Sequence, residues 1–118
     1  MIQSVTFPLP YKVSTNAIYA GVHWRIRAKY KDMMRWTLIT CISRLKPVKS
    51  CKLRFEFSFK NRPLDCSNCS FMAKMIEDCL VEHKIIPDDS PQYVTEIALA
   101  SAKGKDEVTL FLEETNDL

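Results

Sequence analysis

Glycine is nearly absent from this chain, with two in 118 residues. There is no Ser/Gly-rich stretch, repeat or low-complexity segment to act as a linker, so residues 1–118 are expected to fold as one domain. No run approaches the roughly 18 apolar residues that a membrane span needs. The start also lacks the basic-then-apolar pattern of a secretory signal. The five cysteines are odd in number and follow no framework spacing, which points to reduced thiols in a cytoplasm. The only histidines, His23 and His83, have no Ser or Cys at an informative spacing, so a nucleophilic triad has no support.

Acidic residues are scarce in the first half. Residues 1–64 hold 13 Lys/Arg against Asp32 and Glu56, whereas residues 65–118 hold 4 Lys/Arg against 12 Asp/Glu. A basic half can neutralise a polyanion while an acidic half holds cations, and nucleic acid is the partner this asymmetry favours.

The apolar pattern predicts an α+β domain in the order β-α-β-α-β-β, a mixed sheet packed by two main helices. Val5, Phe7 and Leu9 alternate in a short strand, with Pro8 arguing for an edge position. Tyr11 to Asn16 reads as a loop whose Ser14, Thr15 and Asn16 suit turns or caps. Tyr30, Met34, Leu38, Cys41, Ile42 and Leu45 step by three and four, as in an amphipathic helix ended by Lys46-Pro47. Residues 51–60 alternate strictly, a half-buried strand with a mostly basic polar face. Phe71, Met72, Met75, Ile76, Cys79 and Leu80 form the stripe of a second helix, from about Ser67 to Lys84. Two closing strands, Tyr93 to Ala102 and Val108 to Leu112, flank the turn Lys103-Gly104-Lys105-Asp106 and are expected to form a hairpin.

Two stretches carry chemistry. Arg25, Arg27, Lys29 and Lys31, with Arg35 beyond, are interleaved with Trp24 and Tyr30. Such cations contact phosphates, and such rings stack on exposed bases. Equally, the same run fits an exposed helix face beside core aromatics. The second stretch is Asp65-Cys66-Ser67-Asn68, where a strand hands over to a helix, with Asp88-Asp89 after that helix. Carboxylates there suit hard cations such as Mg²⁺ or Mn²⁺, or serve only as caps and turns. Cys66-x-x-Cys69 is the spacing of a redox dithiol. It lacks the intervening Gly-Pro of thioredoxin-like centres, and no paired spacing completes a zinc site.

The run Asp65-x-x-Asn68, Lys74-Met75-Ile76-Glu77-Asp78-x-Leu80, Pro87-Asp88-Asp89-Ser90, preceded by Phe7-Pro8-Leu9-Pro10 and Asn16, resembles the RusA-type Holliday-junction resolvases. The resemblance implies a homodimeric, Mg²⁺-dependent endonuclease, with Mn²⁺ as a substitute metal, acting on branched DNA. It implies that Asp65 and Asp89 are metal-binding catalytic carboxylates and that Lys74 is a supporting catalytic cation; Asp88 as a third ligand, or the Ser67 hydroxyl acting through water, would make up for the missing acid. Ser67, Asn68 and Asp78 are supporting residues, and Arg25, Arg27, Lys29, Lys31 and Arg35 hold the DNA backbone. Ser67 stands where the family has a second Asp. That departure opens the alternative of a junction-binding protein without nuclease activity; a thiol-redox domain on Cys66 and Cys69 is a third reading. A helix from Ser67 to Lys84 would also hold its ends on the order of 25 Å apart. Unless the helix stops early and the chain doubles back, Asp65 is therefore expected to meet Asp89 across a dimer interface.

Overall fold

The computed structural model describes residues 1–21 and 23–115. Its elements are β1 (Ile2–Pro8), α1 (Thr15–Tyr19), α2 (Trp24–Leu38), β2 (Cys51–Phe59), α3 (Ser70–Glu82), β3 (Val94–Lys103) and β4 (Glu107–Glu114). Short 3₁₀ turns lie at Ile42–Arg44 and Cys66–Cys69. The strands form one mixed four-stranded sheet in the order β1-β4-β2-β3, so the domain is α+β as the sequence predicts.

The expected closing hairpin does not form. β3 runs parallel to β2, β4 runs antiparallel to it on the other side, and β2 lies between them. The short Gly104–Asp106 link steps over the end of β2 instead. There the Gly104 N–H donates to the Phe59 carbonyl at 2.9 Å, and the Lys60 N–H donates to Asp106 Oδ1 at 2.8 Å. A Cβ on Gly104 would sit 3.3 Å from the Ser58 Cβ, so a larger residue there requires Ser58 to shift by a few tenths of an ångström. Among the described residues β1 pairs only with β4 and is an edge strand, which accommodates Pro8.

The alternation of β2 fixes which face is covered. Cys51, Leu53, Phe55, Phe57 and Phe59 are buried, and the Phe55, Phe57 and Phe59 rings stack at 6.3 Å steps. Against them pack Phe71, Met72, Ile76, Cys79 and Leu80 of α3, and Met34 and Leu38 of α2. Lys52 and Arg54, on the opposite face, pair with Glu96 and Glu56 at 3.6 and 2.9 Å, which largely neutralises the strand's basic side.

Three helix boundaries differ from expectation. α1, Thr15–Tyr19, begins inside the expected loop and runs past its end at Asn16, capped by Ser14 Oγ accepting from the Ala17 N–H at 3.1 Å. α2 begins at Trp24 and stops at Leu38. Cys41, Ile42 and Leu45 continue the buried stripe from a 3₁₀ turn, because burial alone cannot distinguish a helix from the turn that follows it. α3 begins at Ser70 after the 3₁₀ turn and ends at Glu82. The Ile85 N–H reaches the Leu80 carbonyl (2.9 Å) and the Lys84 N–H the Val81 carbonyl (3.0 Å), a Schellman closure. Lys84 holds φ 59° where glycine is usual, and the reversal returns buried Ile85 and Ile86 to the core. Among the described residues, no helix is long and apolar enough to cross a membrane.

Candidate functional site

The connection from β2 into α3 carries Asp65, Ser67 and Asn68, and α1 holds it in place. The Asn68 N–H donates to the Asp65 carbonyl at 2.9 Å, closing the turn. Asn68 Oδ1 accepts from the Asn16 N–H (3.3 Å), and its carbonyl accepts from Thr15 Oγ1 (3.2 Å). Thr15 Oγ1 also accepts from the Phe71 N–H at 2.9 Å and shares a hydrogen with Ser70 Oγ at 2.8 Å. One hydroxyl therefore satisfies a free amide at the start of α3 and ties α1 to the acidic turn. The Ser67 carbonyl accepts from Ser70 Oγ at 2.8 Å, and the Ser67 side chain is exposed. Asp65 is exposed, and its carboxylate makes no capping bond to the turn it precedes.

A second cluster lies along the middle of α3. Lys74 Nζ is 3.3 Å from Glu77 Oε1, 3.2 Å from Asp78 Oδ1, and directly bonded to Asp89 Oδ2. Burial alone would lower the Lys74 pKa, but the hydrogen bonds to Asp89 and Asp78 outweigh it and the net shift is upward. The same hydrogen bond and charge hold Asp89 below the usual carboxylate range. Glu77, which the sequence reading did not single out, is the only buried carboxylate among the described residues, and burial raises its pKa despite the neighbouring ammonium. Its signal was the i, i+3 spacing from Lys74, which brings side chains together on one helix face. Asp88 is exposed beside Asp89.

The cluster continues onto α2. Lys31 Nζ is 3.9 Å from Asp78 and 3.3 Å from Glu82, while Arg35 grips Glu82 through Nε (2.9 Å) and Nη2 (3.0 Å) and reaches Asp32 at 2.8 Å. The predicted phosphate-binding set is therefore divided. Lys31 and Arg35 are committed to clamping α2 on α3, whereas Arg25, Arg27 and Lys29 are exposed and make no ion pair among the described residues. His23 caps this helix, its Nδ1 accepting from the Arg25 N–H at 3.1 Å.

The chain does double back after α3 and brings Asp89 beside Lys74. A 3₁₀ turn and little more than one turn of α3 separate Asp65 from Lys74 along the chain, a rise of at most about 15 Å if the two are coaxial. Among the described residues, no three His, Cys, Asp or Glu side chains converge as metal ligands. The donor chemistry nonetheless suits a hard divalent cation, since Asp65, Asp88 and Asp89 offer exposed carboxylate oxygens. Mg²⁺ commonly takes only one or two carboxylates and completes its shell with waters and substrate phosphate.

The cysteines form no such centre. All five are free, Cys66 is exposed, and Cys69 is buried with burial pushing its thiol up to about 11. A redox dithiol needs the opposite shift.

No protein-family model matches the chain, and no curated protein matches it.

Proposed function

We propose that this protein is a Mg²⁺-dependent, structure-selective endodeoxyribonuclease acting as a homodimer on branched DNA, four-way junctions above all. The observation that carries the reading is the gathering of Lys74, Asp78 and Asp89 into one patch, although Asp89 lies fifteen residues from Lys74. These are motif residues on which the resemblance to junction resolvases rests. Arg25, Arg27 and Lys29 supply a cationic surface free for phosphates, which contact DNA by shape rather than sequence.

Asp65 and Asp89 would hold the metal, with Asp88 as a further ligand, and Mn²⁺ would serve in place of Mg²⁺. When bound, such an ion polarises a phosphate oxygen and lowers the pKa of an attacking water. The chain's own contribution is positional. Asn68 and Thr15 fix the turn that carries Asp65, while Glu77 and Asp78 orient Lys74, whose ammonium offsets negative charge on the phosphate. The metal site is proposed to be shared, with Asp65 from one subunit and Asp89 from the other. Two symmetric sites also suit paired cuts in a junction of approximate two-fold symmetry.

A second reading has its own support. Lys74 already neutralises Asp89, and Ser67 replaces a carboxylate, as in a protein that binds junctions without cutting them. A synthetic four-way junction incubated with and without Mg²⁺ separates the two. Nicking that needs the metal supports the nuclease; retarded but uncut DNA at every metal concentration supports the binding protein and refutes the nuclease.

A further inference from the structure

We infer that the outward face of α2 is a stacking platform for unpaired bases of single-stranded DNA. The inference rests on the polyanion-binding part of the proposed function, and not on cleavage. The chain's only tryptophans, Trp24 and Trp36, both lie on α2, and they are 60% and 72% exposed. Ile26 and Met33 are exposed on the same helix. An amphipathic helix packed on a core would ordinarily show only polar groups here. Instead the apolar side chains alternate with Arg25 and Lys29.

The geometry fits a flat aromatic ligand with an anionic backbone. A hollow of about 350 Å³, enough for a nucleobase, is lined by Trp24, Arg25, Ile26, Ala28, Lys29 and Asp32. The Arg25 guanidinium lies over the Trp24 ring at 5.5 Å, and the His23 ring stands 5.6 Å from it, so the indole is braced rather than freely rotating. Trp36 has no ring or cation partner among the described residues. Twelve residues of helix place the two positions about 18 Å apart along the axis and about a third of a turn apart around it. That is a span of several nucleotides, within the usual size of single-strand sites.

Charge decides between occupants. A second copy meeting this face by a two-fold contact would bring Arg25 and Lys29 against the same cations. Asp32 on this helix is already held by Arg35 at 2.8 Å, so no free acid is left to answer them. A nucleic-acid strand answers the cations with phosphates and the indoles with base faces.

Because both tryptophans sit on this helix, the protein's tryptophan emission reports α2 alone. The experiment titrates a 20-nucleotide oligo(dT), a blunt duplex of the same length, and anionic lipid vesicles into the intact protein without divalent metal. Saturable quenching is expected with oligo(dT), and much weaker quenching with duplex. W24L and W36L each retain one reporter, and each should lose roughly tenfold in affinity for oligo(dT), with an unchanged circular dichroism spectrum. Equal quenching by duplex would overturn the inference, as would wild-type affinity in both variants. Vesicles that shift the emission when oligo(dT) does not would assign the face to a membrane surface. Conversion of a dimer to a monomer by W36L would assign it to self-association. Metal-dependent junction cleavage that persists without oligo(dT) quenching would leave the nuclease standing and remove only this inference.

Discussion

Lys74 and Asp89 are joined side chain to side chain across the reversal that follows α3, fifteen residues apart in the chain. Glu77 and Asp78 approach the same ammonium from the helix itself. Removing Lys74 would leave Glu77 and Asp89 without their cation and Asp78 with only the more distant Lys31, whereas removing one acid leaves the ammonium with two others. Lys74→Met should therefore destabilise the fold more than Asp89→Asn does, as urea midpoints compared at neutral pH would register.

For cleavage the order reverses in meaning. Asp65→Asn and Asp89→Asn should each abolish metal-dependent nicking while junction affinity stays equal or tightens, since a carboxylate facing phosphate is lost. Full nicking by Asp65→Asn would end its assignment as a ligand. If the site is shared, an exchanged mixture of the two inactive variants should recover nicking, because one of its two sites then has both carboxylates.

The divided basic set gives a contrast within one helix. Charge reversal of Arg25 and Arg27 together should weaken junction binding and flatten its salt dependence, with stability unchanged. Arg35→Ala should cost up to about 1 kcal/mol of stability, the scale of a partly exposed ion pair, with the smaller effect on binding. Gel shifts at low and moderate salt, set beside thermal melts, test both halves.

Carboxylates of opposite shift predict a pH signature. Glu82 is held down by its bond to Arg35, and Asp89 by Lys74. Their stabilisation is present above the ordinary carboxylate pKa, near 4, and is lost as the pH falls through their lower folded values. Glu77 has the opposite sign: burial raises it, so its charged form opposes folding at neutral pH and ceases to do so once the pH is below its unfolded value. Glu77→Gln should accordingly gain stability relative to wild type at pH 7, and lose that gain on acidification. A constant difference across pH 3–7 would contradict the assigned burial effect.

Lys84 offers a test of backbone strain. Its φ of 59° lies in the left-handed region, which costs an L-residue roughly 1–2 kcal/mol. Lys84→Gly should raise stability by about 0.5–1 kcal/mol, allowing for glycine's greater freedom when unfolded. No change in the melting temperature would show that the strain is absorbed elsewhere.

Much of this architecture is written in local patterns. The alternation of residues 51–59, the stripe from Phe71 to Leu80 and the edge strand with Pro8 all match the structure, because each depends only on which neighbours share a face. The failed hairpin has a different cause. A short turn at Gly104 looks the same whether its flanking strands are adjacent or straddle a third, and only the pairing of β2 with both decides. α2 begins earlier than its apolar stripe because its first turns point cations and Trp24 outward. The return of Asp89 to Lys74 depends on a left-handed residue at position 84, and lysine gives no hint of it. At the candidate site, Asp78 beside Lys74 was visible as an i, i+4 pair, while burial of Glu77 was not, since a carboxylate in a helix reads as solvent-facing.

The placement of β4 between β1 and β2 also governs when the sheet can exist at all. β1 precedes the other strands in the chain, yet its sole strand partner among the described residues is β4, with Thr6 and Thr109 bonded 103 positions apart. Until residues 107–114 are synthesised, β1 is an unpaired ribbon and β2 has only β3 on one flank. Such long-range closure slows folding relative to local hairpins. It also leaves two hydrogen-bonding edges open on the nascent chain, where they can capture other strands. Insertion of the last strand therefore acts as a keystone, completing two pairings in one event.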